Sequence, residues 1–346
     1  YFLPAEWHPH VDTWITFPHN DHSWQEEKLE QMYPEYFALI KAISEGEQVR
    51  INVNSTALQA FVESQLPVYG IDPTKIEFNV QPTNDAWCRD HGPIFVQHRT
   101  TGEVAVTDWA YNAWGGKYPP YDLDNKIPAR IAQKLKLRRF RNPLVLEGGS
   151  IDVNGQGLLL TTEQCLLNPN RNPHCTRTQL EKNLKDYLGI KQVLWLGSGI
   201  EKDDTDGHID DITRFYQADG FVTAIERNSR SPNYKALQDN LSRLKSFRTP
   251  AGKRFKIVTL PMPKPIGFRG QLVPASYANF LIINGAVLVP QFRQPRRDAA
   301  ACAILGDCFK DREIVPLDCY DLIWGLGTLH CLSQQQPADL GALGKH

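Results

Sequence analysis

The sequence lacks the features that characterise membrane proteins and nucleic-acid-binding proteins. No apolar run approaches the ~18 residues that a membrane-spanning helix needs. The 38 lysines and arginines nearly match the 39 aspartates and glutamates, so the formal net charge is only −1. A chain with this balance has no broad positive field that would attract nucleic acid or an anionic membrane surface. We therefore expect neither a nucleic acid nor a membrane as a partner.

The sequence also lacks a disulfide or zinc-binding pattern. Seven cysteines occur, which is an odd number, and no two of them form a CxxC pair. This spacing fits neither a zinc ribbon nor a disulfide framework. We therefore expect reduced thiols and a cytoplasmic protein. The chain has 346 residues, of which 41% are hydrophobic, so it can bury a large core without such cross-links.

Three hairpin signals recur at a fixed distance along the chain. Asn-Gly, Asp-Gly and Asn-Gly dipeptides at 154–155, 219–220 and 284–285 each separate two apolar segments, and their glycines are 65 residues apart (220 − 155 and 285 − 220). Such dipeptides predict tight turns in which both central residues have positive φ. A helical stretch and a further strand follow each hairpin. The pattern predicts an α/β protein of ββαβ repeats, each about 65 residues long.

The repeats predict a closed ring of five modules. The helical stretches are 177–188, 234–247 and 297–309, and the strands that follow are 192–197, 255–261 and 313–318. Five units fill the chain, with another hairpin at 94–109 and a short last unit. The N-terminal segment VDTWITFP (11–18) resembles the hairpin strand AVLVPQF (286–292). We therefore predict that the N-terminal strand completes the last module of a single domain, residues 1–346, and so hides the sheet edges.

Four segments combine acids, a histidine and a cysteine near predicted strand ends. In a ring of like modules, equivalent strand ends meet near the central axis, so these segments are expected to converge. They are NDAWCRDHGPIFV (84–96), LEGGSIDVNG (146–155), DDTDGHIDDITRF (203–215) and GLGTLHCLSQQQP (325–337).

The expected cluster fits a planar cation. Carboxylates raise the pKa of a neighbouring thiol, so several acids and a nucleophilic cysteine share a site only if a metal ion or a cationic substrate joins them. A guanidinium group carries up to five donors in one plane, which suits carboxylate partners. Acids that hold its nitrogens would place its carbon beside the Cys331 sulfur. His208 would then be available as general acid and base.

Taken together, the four segments resemble the agmatine deiminase family. This family lies within a wider group of guanidine-modifying enzymes that includes the bacterial, Porphyromonas-type peptidylarginine deiminases. The resemblance runs from PAEWHPHVDTWITFP (4–18) to HCLSQQQP (330–337). It implies a five-module α/β propeller, which agrees with the 65-residue period.

The resemblance implies a role for each of six residues. Cys331, in HCLSQQQ, matches the family nucleophile. Asp90, in WCRDHGP, and Asp210, in GHIDD, match the two acids that bind the guanidinium group. The remaining matches are the proton-transfer residue His208, the acid Glu147 in LEGGSID that orients it, and the tryptophan Trp87 that lines the alkyl chain of the substrate.

The resemblance also implies the course of the reaction. Cys331 attacks the guanidinium carbon, and ammonia leaves after protonation by His208. Water activated by His208 then hydrolyses a covalent S-alkylthiouronium intermediate to a urea group. No cofactor and no metal are expected.

Agmatine is the expected substrate, because the acid-rich site suits a substrate with an amine tail. Asp85, Asp204 and Asp206 either reach the far end of that substrate or cap their loops, and we assign Asp204 to substrate binding. Free arginine would need a basic partner, for which Arg89 and Arg171 are the candidates. Two sequence departures bear on the pocket around the tail. They are His91, where the family has threonine, and the pair Leu326 and Thr328, where it has a loop richer in glycine and asparagine.

Other functions stay open at this point. Peptidyl-arginine and free arginine are alternative substrates for the same chemistry. A non-catalytic protein that binds guanidinium or amine groups is a second class, although binding alone needs no nucleophile. Metal-assisted hydrolysis by the same acids is a third. A homo-oligomer is compatible with the sequence.

Overall fold

The computed structural model describes residues 1–24, 26–268 and 271–339. Strands in this part of the chain are short and numerous. They are β1 (His10–Thr16), β2 (Gln48–Val53), β3 (Ile76–Val80), β4 (Ile94–Gln97), β5 (Val104–Ala110), β6 (Arg138–Val145), β7 (Asp152–Val153), β8 (Leu158–Thr162), β9 (Gln192–Leu196), β10 (Thr213–Gln217), β11 (Gly220–Ile225), β12 (Lys256–Pro261), β13 (Ile266–Phe268), β14 (Gln271–Val273), β15 (Leu281–Ile283), β16 (Ala286–Gln291), β17 (Glu313–Asp318) and β18 (Ser333–Pro337).

Helices alternate with the strands. They are α1 (Glu26–Gly46), α2 (Thr56–Gln65), α3 (Cys88–His91), α4 (Ala113–Gly116), α5 (Ile127–Lys134), α6 (Glu163–Leu166), α7 (Arg177–Leu188), α8 (Asn233–Ser246) and α9 (Pro295–Cys308). The helices predicted at 177–188, 234–247 and 297–309 are confirmed as α7, α8 and α9. No helix in the described ranges is both long and apolar enough to span a membrane.

Five sheets share one connection pattern. In four of them an antiparallel hairpin is followed by a helix and a third strand parallel to the second: β4-β5-β6, β7-β8-β9, β10-β11-β12 and β15-β16-β17. A parallel pair needs a crossover connection, and the helix provides it. The fifth sheet has the order β18-β1-β2-β3, with β18 antiparallel to β1. The chain is therefore an α/β protein with the ββαβ pattern that the 65-residue spacing predicts.

Helix α7 shows how the local sequence defines an element. Thr176 and Gln179 form a reciprocal capping box at its start, and Gly189 ends it in the left-handed conformation. Leu180, Leu184 and Leu188 recur at four-residue intervals and are buried. The helix therefore packs one apolar stripe onto its sheet, as the other crossover helices do.

The hairpins lie where the dipeptides predict them, but the predicted turn geometry is wrong. Gly155 and Gly285 have positive φ, whereas Gly220 and the three residues that precede these glycines do not. At 154–157 the turn is longer, and the Asn154 side chain accepts hydrogen bonds from two backbone N–H groups within it. The Asn284 side chain bonds the backbone of His10 instead. In these two turns side-chain hydrogen bonds take the place of the second left-handed residue.

Buried charges join the sheets at their inner ends. The Arg214 guanidinium, on β10, pairs with Glu6 and with Asp152 of β7. It also donates to the carbonyl oxygens of Ala278 and Phe280, just before β15. All three charged side chains are almost fully buried. One ion group therefore connects the N-terminal segment with three sheets.

Candidate active site

Three of the four predicted segments form a short helix just before the first strand of their sheet, and in the fourth a short helix ends at Gly325, with seven residues, 326–332, between it and β18. Helix α3 precedes β4, and three-residue or four-residue 3₁₀ helices precede the others: Gly148–Ser150 before β7, Ile209–Asp211 before β10 and Leu322–Gly325 before β18. Contacts join α3 to the helix at Gly148–Ser150, and that helix to the one at Ile209–Asp211. The structure therefore brings residues that are up to 241 positions apart, Asp90 and Cys331, around one pocket.

The Cys331 thiol is buried among acids. Its Sγ lies 3.7 Å from Oδ2 of Asp210 and 3.1 Å from Nδ2 of Asn279. Burial raises the pKa of this thiol well above its ordinary value, and the charges of Asp210, Asp211 and Asp90 raise it further. The free protein therefore holds Cys331 as a thiol, and a cation in the pocket would favour the thiolate.

Asn279 holds the chain around Cys331. Its Oδ1 accepts hydrogen bonds from the Thr328 hydroxyl at 2.8 Å and from the backbone N–H of His330 at 3.2 Å. Its amide nitrogen faces the sulfur of Cys331. Asn279 precedes β15 and carries no motif, so the sequence analysis did not identify it.

Asp90 is oriented by two donors from other elements. Its Oδ2 accepts from Nε1 of Trp114 at 2.9 Å, and its Oδ1 accepts from the backbone N–H of Gly149 at 2.9 Å. Burial raises the pKa of Asp90, His208 opposes the rise, Asp210 adds to it, and the result is about 6. Asp90 is thus mostly ionised at neutral pH. Trp114 is a second residue that the sequence analysis missed.

Asp210 is fully buried beside Cys331, and its two carboxylate oxygens have different surroundings. Its Oδ2 accepts from Nδ1 of His330 at 2.7 Å, whereas its Oδ1 is buried without a hydrogen-bond partner among the described residues. Burial opposes ionisation of Asp210, but the hydrogen bond and charge of His330 outweigh it and lower the pKa. Asp210 is therefore an ionised acid with an accepting oxygen available to a ligand.

His208 and Glu147 lie together beneath this pair. Nδ1 of His208 is 3.7 Å from Oδ1 of Asp90, and the Cys165 thiol lies beside the ring. Burial lowers the pKa of His208, but Asp90, Cys165 and Asp210 raise it well above the ordinary value. Glu147 does not hydrogen-bond to the ring here: its Oε1 pairs with Nε of Arg171 at 2.6 Å. His208 is therefore suited to donating a proton.

The backbone at Gly149 passes close to all three of these groups. A Cβ atom there would lie 2.6 Å from Nδ1 of His208, 2.8 Å from Oδ1 of Asp90 and 3.1 Å from Oδ2 of Asp210. Only glycine permits so close an approach. The glycine pair of the LEGGSID motif therefore brings the Asp90, His208 and Asp210 side chains together.

A cavity of about 230 Å³ opens over the thiol and extends to the surface. Trp87 lines it and stacks on Trp24, with ring centroids 5.1 Å apart. Asp204 lies at the mouth, where its carboxylate accepts from the Tyr118 hydroxyl. The other lining residues include Asp85, Asp90, Trp114, Trp324, Leu326 and Cys331. Aromatic walls with acids at both ends suit a slender cation with an apolar middle.

The two basic candidates for a substrate carboxylate point elsewhere. Arg89 donates to the carbonyl oxygen of His330 at 3.2 Å and to Oε1 of Gln335 at 2.7 Å. Arg171 pairs with Glu147 and with Asp206. Neither lines the cavity over the thiol. The described lining of the cavity therefore includes three aspartates and no lysine or arginine.

Among the described residues, two buried groups have donors close enough to hold a metal ion. They are Glu147, Cys165 and His208, and Asp210, Asp211 and Cys331. A soft divalent ion would fit the mixed sulfur, nitrogen and oxygen donors. Each group contains a residue that the covalent chemistry would need, so an ion there would compete with that chemistry.

The fold and the site define an α/β protein whose buried cysteine, histidine and paired carboxylates enclose a site for a small planar cation. The chain belongs to the Porphyromonas-type peptidyl-arginine deiminase family, whose model matches residues 2–337.

Named relatives cover nearly the whole chain. It is 35% identical to the agmatine deiminase of Pseudomonas putida over 361 residues, which span 98% of this chain and 96% of that protein. The structure resembles that of the agmatine deiminase of Enterococcus faecalis, with a TM-score of 0.89, 32% identity and coverage of 98% and 96% of the two chains. The structure of a C. jejuni agmatine deiminase with substrate bound gives a TM-score of 0.88 at 32% identity, and the match covers 97% of this chain and 96% of that chain.

Proposed function

We propose that the protein hydrolyses the guanidinium group of agmatine to give N-carbamoylputrescine and ammonia. One observation carries the proposal: the Cys331 sulfur lies 3.7 Å from the carboxylate of Asp210 and lines the same cavity as Asp90. A planar guanidinium between the two acids would present its carbon to the sulfur. The relatives named agmatine deiminase over nearly the full chain support the same activity.

The proposed reaction has two halves. Asp90 and Asp210 hold the guanidinium nitrogens, and the Cys331 thiolate forms a bond to the central carbon. The C–N bond to one nitrogen then breaks, and His208 gives that nitrogen a proton so that it leaves as ammonia. An S-alkylthiouronium group remains. His208 next takes a proton from water, the water oxygen bonds to the carbon, and the C–S bond breaks to release the urea group and the thiolate.

Binding of the cation activates the nucleophile in this scheme. In the free protein, burial and three neighbouring carboxylates hold Cys331 in the thiol form. The positive charge of the bound guanidinium offsets those carboxylates, so the thiol releases its proton to solvent through the cavity, and His208 keeps the proton that it gives to the leaving nitrogen. Cys331 would thus attack only after a positively charged substrate has bound.

The pocket favours a substrate with an amine tail. Trp87 and Trp114 would enclose the alkyl chain, and Asp204 at the mouth would pair with the distal ammonium. Lys117 is the nearby cation, but its Nζ pairs with Oδ1 of Asp206 at 2.8 Å. The described residues that line the cavity include no lysine or arginine to pair with the carboxylate of free arginine. Peptidyl-arginine is the second candidate, because the matching family model carries that activity in its description.

The fold and the cellular role belong to the same proposal. The five sheets would surround a pseudo-symmetry axis as the modules of one propeller-like deiminase domain over residues 1–346, of which 25, 269–270 and 340–346 lie outside the described ranges. The antiparallel pairing of β1 with β18 supports the completion of the last module by the N-terminal strand. Product N-carbamoylputrescine would enter polyamine synthesis in the cytoplasm, without a cofactor.

A substrate panel tests the function. Agmatine, arginine and an arginyl peptide are incubated with the protein, and ammonia and ureido product are measured. We expect turnover of agmatine, at least 1,000-fold slower turnover by Cys331→Ala, and no change in Cys175→Ala, because Cys175 is half-exposed and outside the site.

Each alternative has a distinct result in this panel. Turnover of the peptide alone would show that peptidyl-arginine, and not agmatine, is the substrate, and the proposed reaction would stand. No turnover of any substrate by the wild type would leave a protein that only binds guanidinium groups, and equal non-zero rates for the wild type and Cys331→Ala would exclude Cys331 as the nucleophile. Loss of activity on addition of a chelator, restored by a metal, would favour metal-assisted hydrolysis.

A further inference from the structure

The two carboxylate oxygens of Asp210 have different surroundings. Oδ2 accepts from Nδ1 of His330 at 2.7 Å and from Nδ2 of Asn279 at 3.4 Å. Oδ1 is buried and has no partner among the described residues. A buried oxygen without a donor costs about 1–3 kcal/mol. The arrangement therefore keeps one oxygen of Asp210 occupied and the other available.

His330 is buried between two carboxylates. Its Nδ1 contacts Asp210, and its Nε2 lies 3.1 Å from Oε2 of Glu6 on the opposite side of the ring. Carboxylate oxygens only accept hydrogen bonds, so each ring nitrogen of His330 is in position to donate to one carboxylate. The ring is thus fixed by two charge-assisted hydrogen bonds in opposite directions.

Glu6 is itself held firmly. Its carboxylate pairs with Arg214, and its Oε1 accepts from the backbone N–H of Ile282 at 2.7 Å. Burial opposes ionisation of Glu6, but Arg214 and His330 outweigh it and lower its pKa. Glu6 therefore gives His330 a rigid anionic support behind the site.

We propose that His330 is the positioning residue of the reaction: it occupies Oδ2 of Asp210 and, supported by Glu6, presents Oδ1 to the guanidinium group of the substrate. The inference rests on the proposed function, since it gives Asp210 its place in that reaction. His330 contacts Asp210, and Asp210 in turn lies 3.7 Å from the sulfur of Cys331, which lines the cavity, so His330 acts through Asp210. It also keeps the acid ionised in a cluster of other acids.

Loss of this contact has a defined consequence. Asp210 would be free to rotate towards the Asn279 amide or to take up a proton, because the nearby charges of Asp90 and Asp211 disfavour a further anion. Either change removes the aligned acceptor for the guanidinium group. Substrate binding and attack by Cys331 would both weaken.

Two substitutions test separately the hydrogen bond from His330 to Asp210 and its hydrogen bond to Glu6. In His330→Asn the side-chain amide nitrogen replaces Nδ1, and it retains the donor to Asp210. In His330→Gln the amide nitrogen replaces Nε2, and it retains the donor to Glu6 instead. We expect kcat/KM for agmatine to fall about 10-fold in His330→Asn and about 100-fold in His330→Gln, since a hydrogen bond to a charged group contributes about 1.5–3 kcal/mol.

A binding experiment makes the result independent of turnover. In the Cys331→Ala background, calorimetry with agmatine should show a larger increase in Kd for His330→Gln than for His330→Asn, while thermal denaturation reports whether both variants are folded. Equal Kd values, or the reverse order, would overturn the inference. If the two variants bind agmatine in this order but the wild type forms no ureido product, the proposed function fails and the positioning role stands.

If either variant does not fold, a second measurement uses a protein in which His330 is unchanged. A crystal structure of Cys331→Ala with agmatine should place a guanidinium nitrogen within 3.2 Å of Oδ1 of Asp210, with Nδ1 of His330 still on Oδ2. A substrate nitrogen on Oδ2, with the His330 ring displaced, would contradict the proposal.

Discussion

At the residue scale, the reactivity of Cys331 is controlled by its acidic neighbours. Burial and then Asp210 contribute most to the raised pKa of the thiol. The Asp210→Asn substitution removes that negative charge, so the pKa should fall and the thiolate fraction of the free protein should rise. We expect iodoacetamide to alkylate Cys331 slowly in the wild type below pH 9, and several-fold faster in Asp210→Asn at pH 8.

Peptide mass analysis isolates this rate from those of the other six cysteines. Asp122→Asn is the matched control, because Asp122 is an exposed acid paired with Lys126 and is absent from the neighbours that affect Cys331. It should leave the rate of Cys331 alkylation unchanged. Rapid alkylation of the wild type at pH 7, or an unchanged rate in Asp210→Asn, would show that the acids do not suppress the thiolate.

Trp114 has a role at the same scale, because its indole N–H orients Asp90. The contact is 2.9 Å long and buried. Trp114→Phe keeps an aromatic wall but removes the donor, so Oδ2 of Asp90 loses a partner and kcat/KM for agmatine should fall about 10-fold. The control is Trp195→Phe, which removes a 2.9 Å indole bond to Glu181 away from the site. Equal activity of the two variants would argue against orientation of Asp90 by the indole.

At the element scale, the 3₁₀ helix at Gly148–Ser150 lets His208, Asp90 and Asp210 approach one another because Gly149 has no side chain. In Gly149→Ala the added methyl group would displace His208 and Asp90, which it would approach to 2.6 Å and 2.8 Å. A misplacement of about 1 Å costs on the order of 100-fold in rate, so kcat/KM should fall by at least that factor.

Gly306→Ala is the matched control for this substitution. A Cβ at Gly306, in helix α9, would make only an ordinary 3.5 Å contact with Ile314. Activity should be retained, and the free energy of unfolding should rise by up to about 1 kcal/mol, because alanine favours the helix. Full activity in Gly149→Ala would mean that the side chains of the site adjust to the methyl group.

The same elements show what the sequence can and cannot predict. The 65-residue spacing predicted the ββαβ pattern correctly, and the three helical stretches were confirmed as α7, α8 and α9, because turn dipeptides and helical stretches are local signals. The turn conformations predicted at 154–155, 219–220 and 284–285 were wrong, because none of the residues before the three glycines has positive φ, and at 154–155 a hydrogen bond accepted by the Asn154 side chain shapes a longer turn. Periodicity contains no information about such contacts.

Long-range contacts explain what was missed in the site. Asn279 lies 52 residues before Cys331 and carries no recognisable motif, yet it holds the backbone at His330 and faces the sulfur. Trp114 lies in an irregular turn whose residues have positive φ. His330 was adjacent to the predicted nucleophile, but no sequence signal pointed to its partner Glu6, 324 residues away. Only the packed sheets define these partners.

At the scale of the whole molecule, convergence of the sheets depends on one buried ion group. Arg214 connects Glu6 of the N-terminal segment with Asp152 of β7 and with carbonyl oxygens just before β15. A buried cation in this position is stable only while its acids remain ionised and close. The same group supports His330 through Glu6, so the stability of the sheet arrangement and the geometry of the site share these contacts.

Replacement of one acid in this group should therefore reduce stability strongly. Glu6→Gln leaves Arg214 with less negative charge in a fully buried position, and we expect the free energy of unfolding to fall by about 3 kcal/mol. Urea denaturation followed by circular dichroism measures the change. Asp186→Asn removes an exposed i,i+4 pair with Lys182 and should cost less than about 0.5 kcal/mol. If both variants unfold at the same urea concentration as the wild type, the buried ion group does not hold the sheets together, because the loss of a buried charge partner would then have no measurable effect on them.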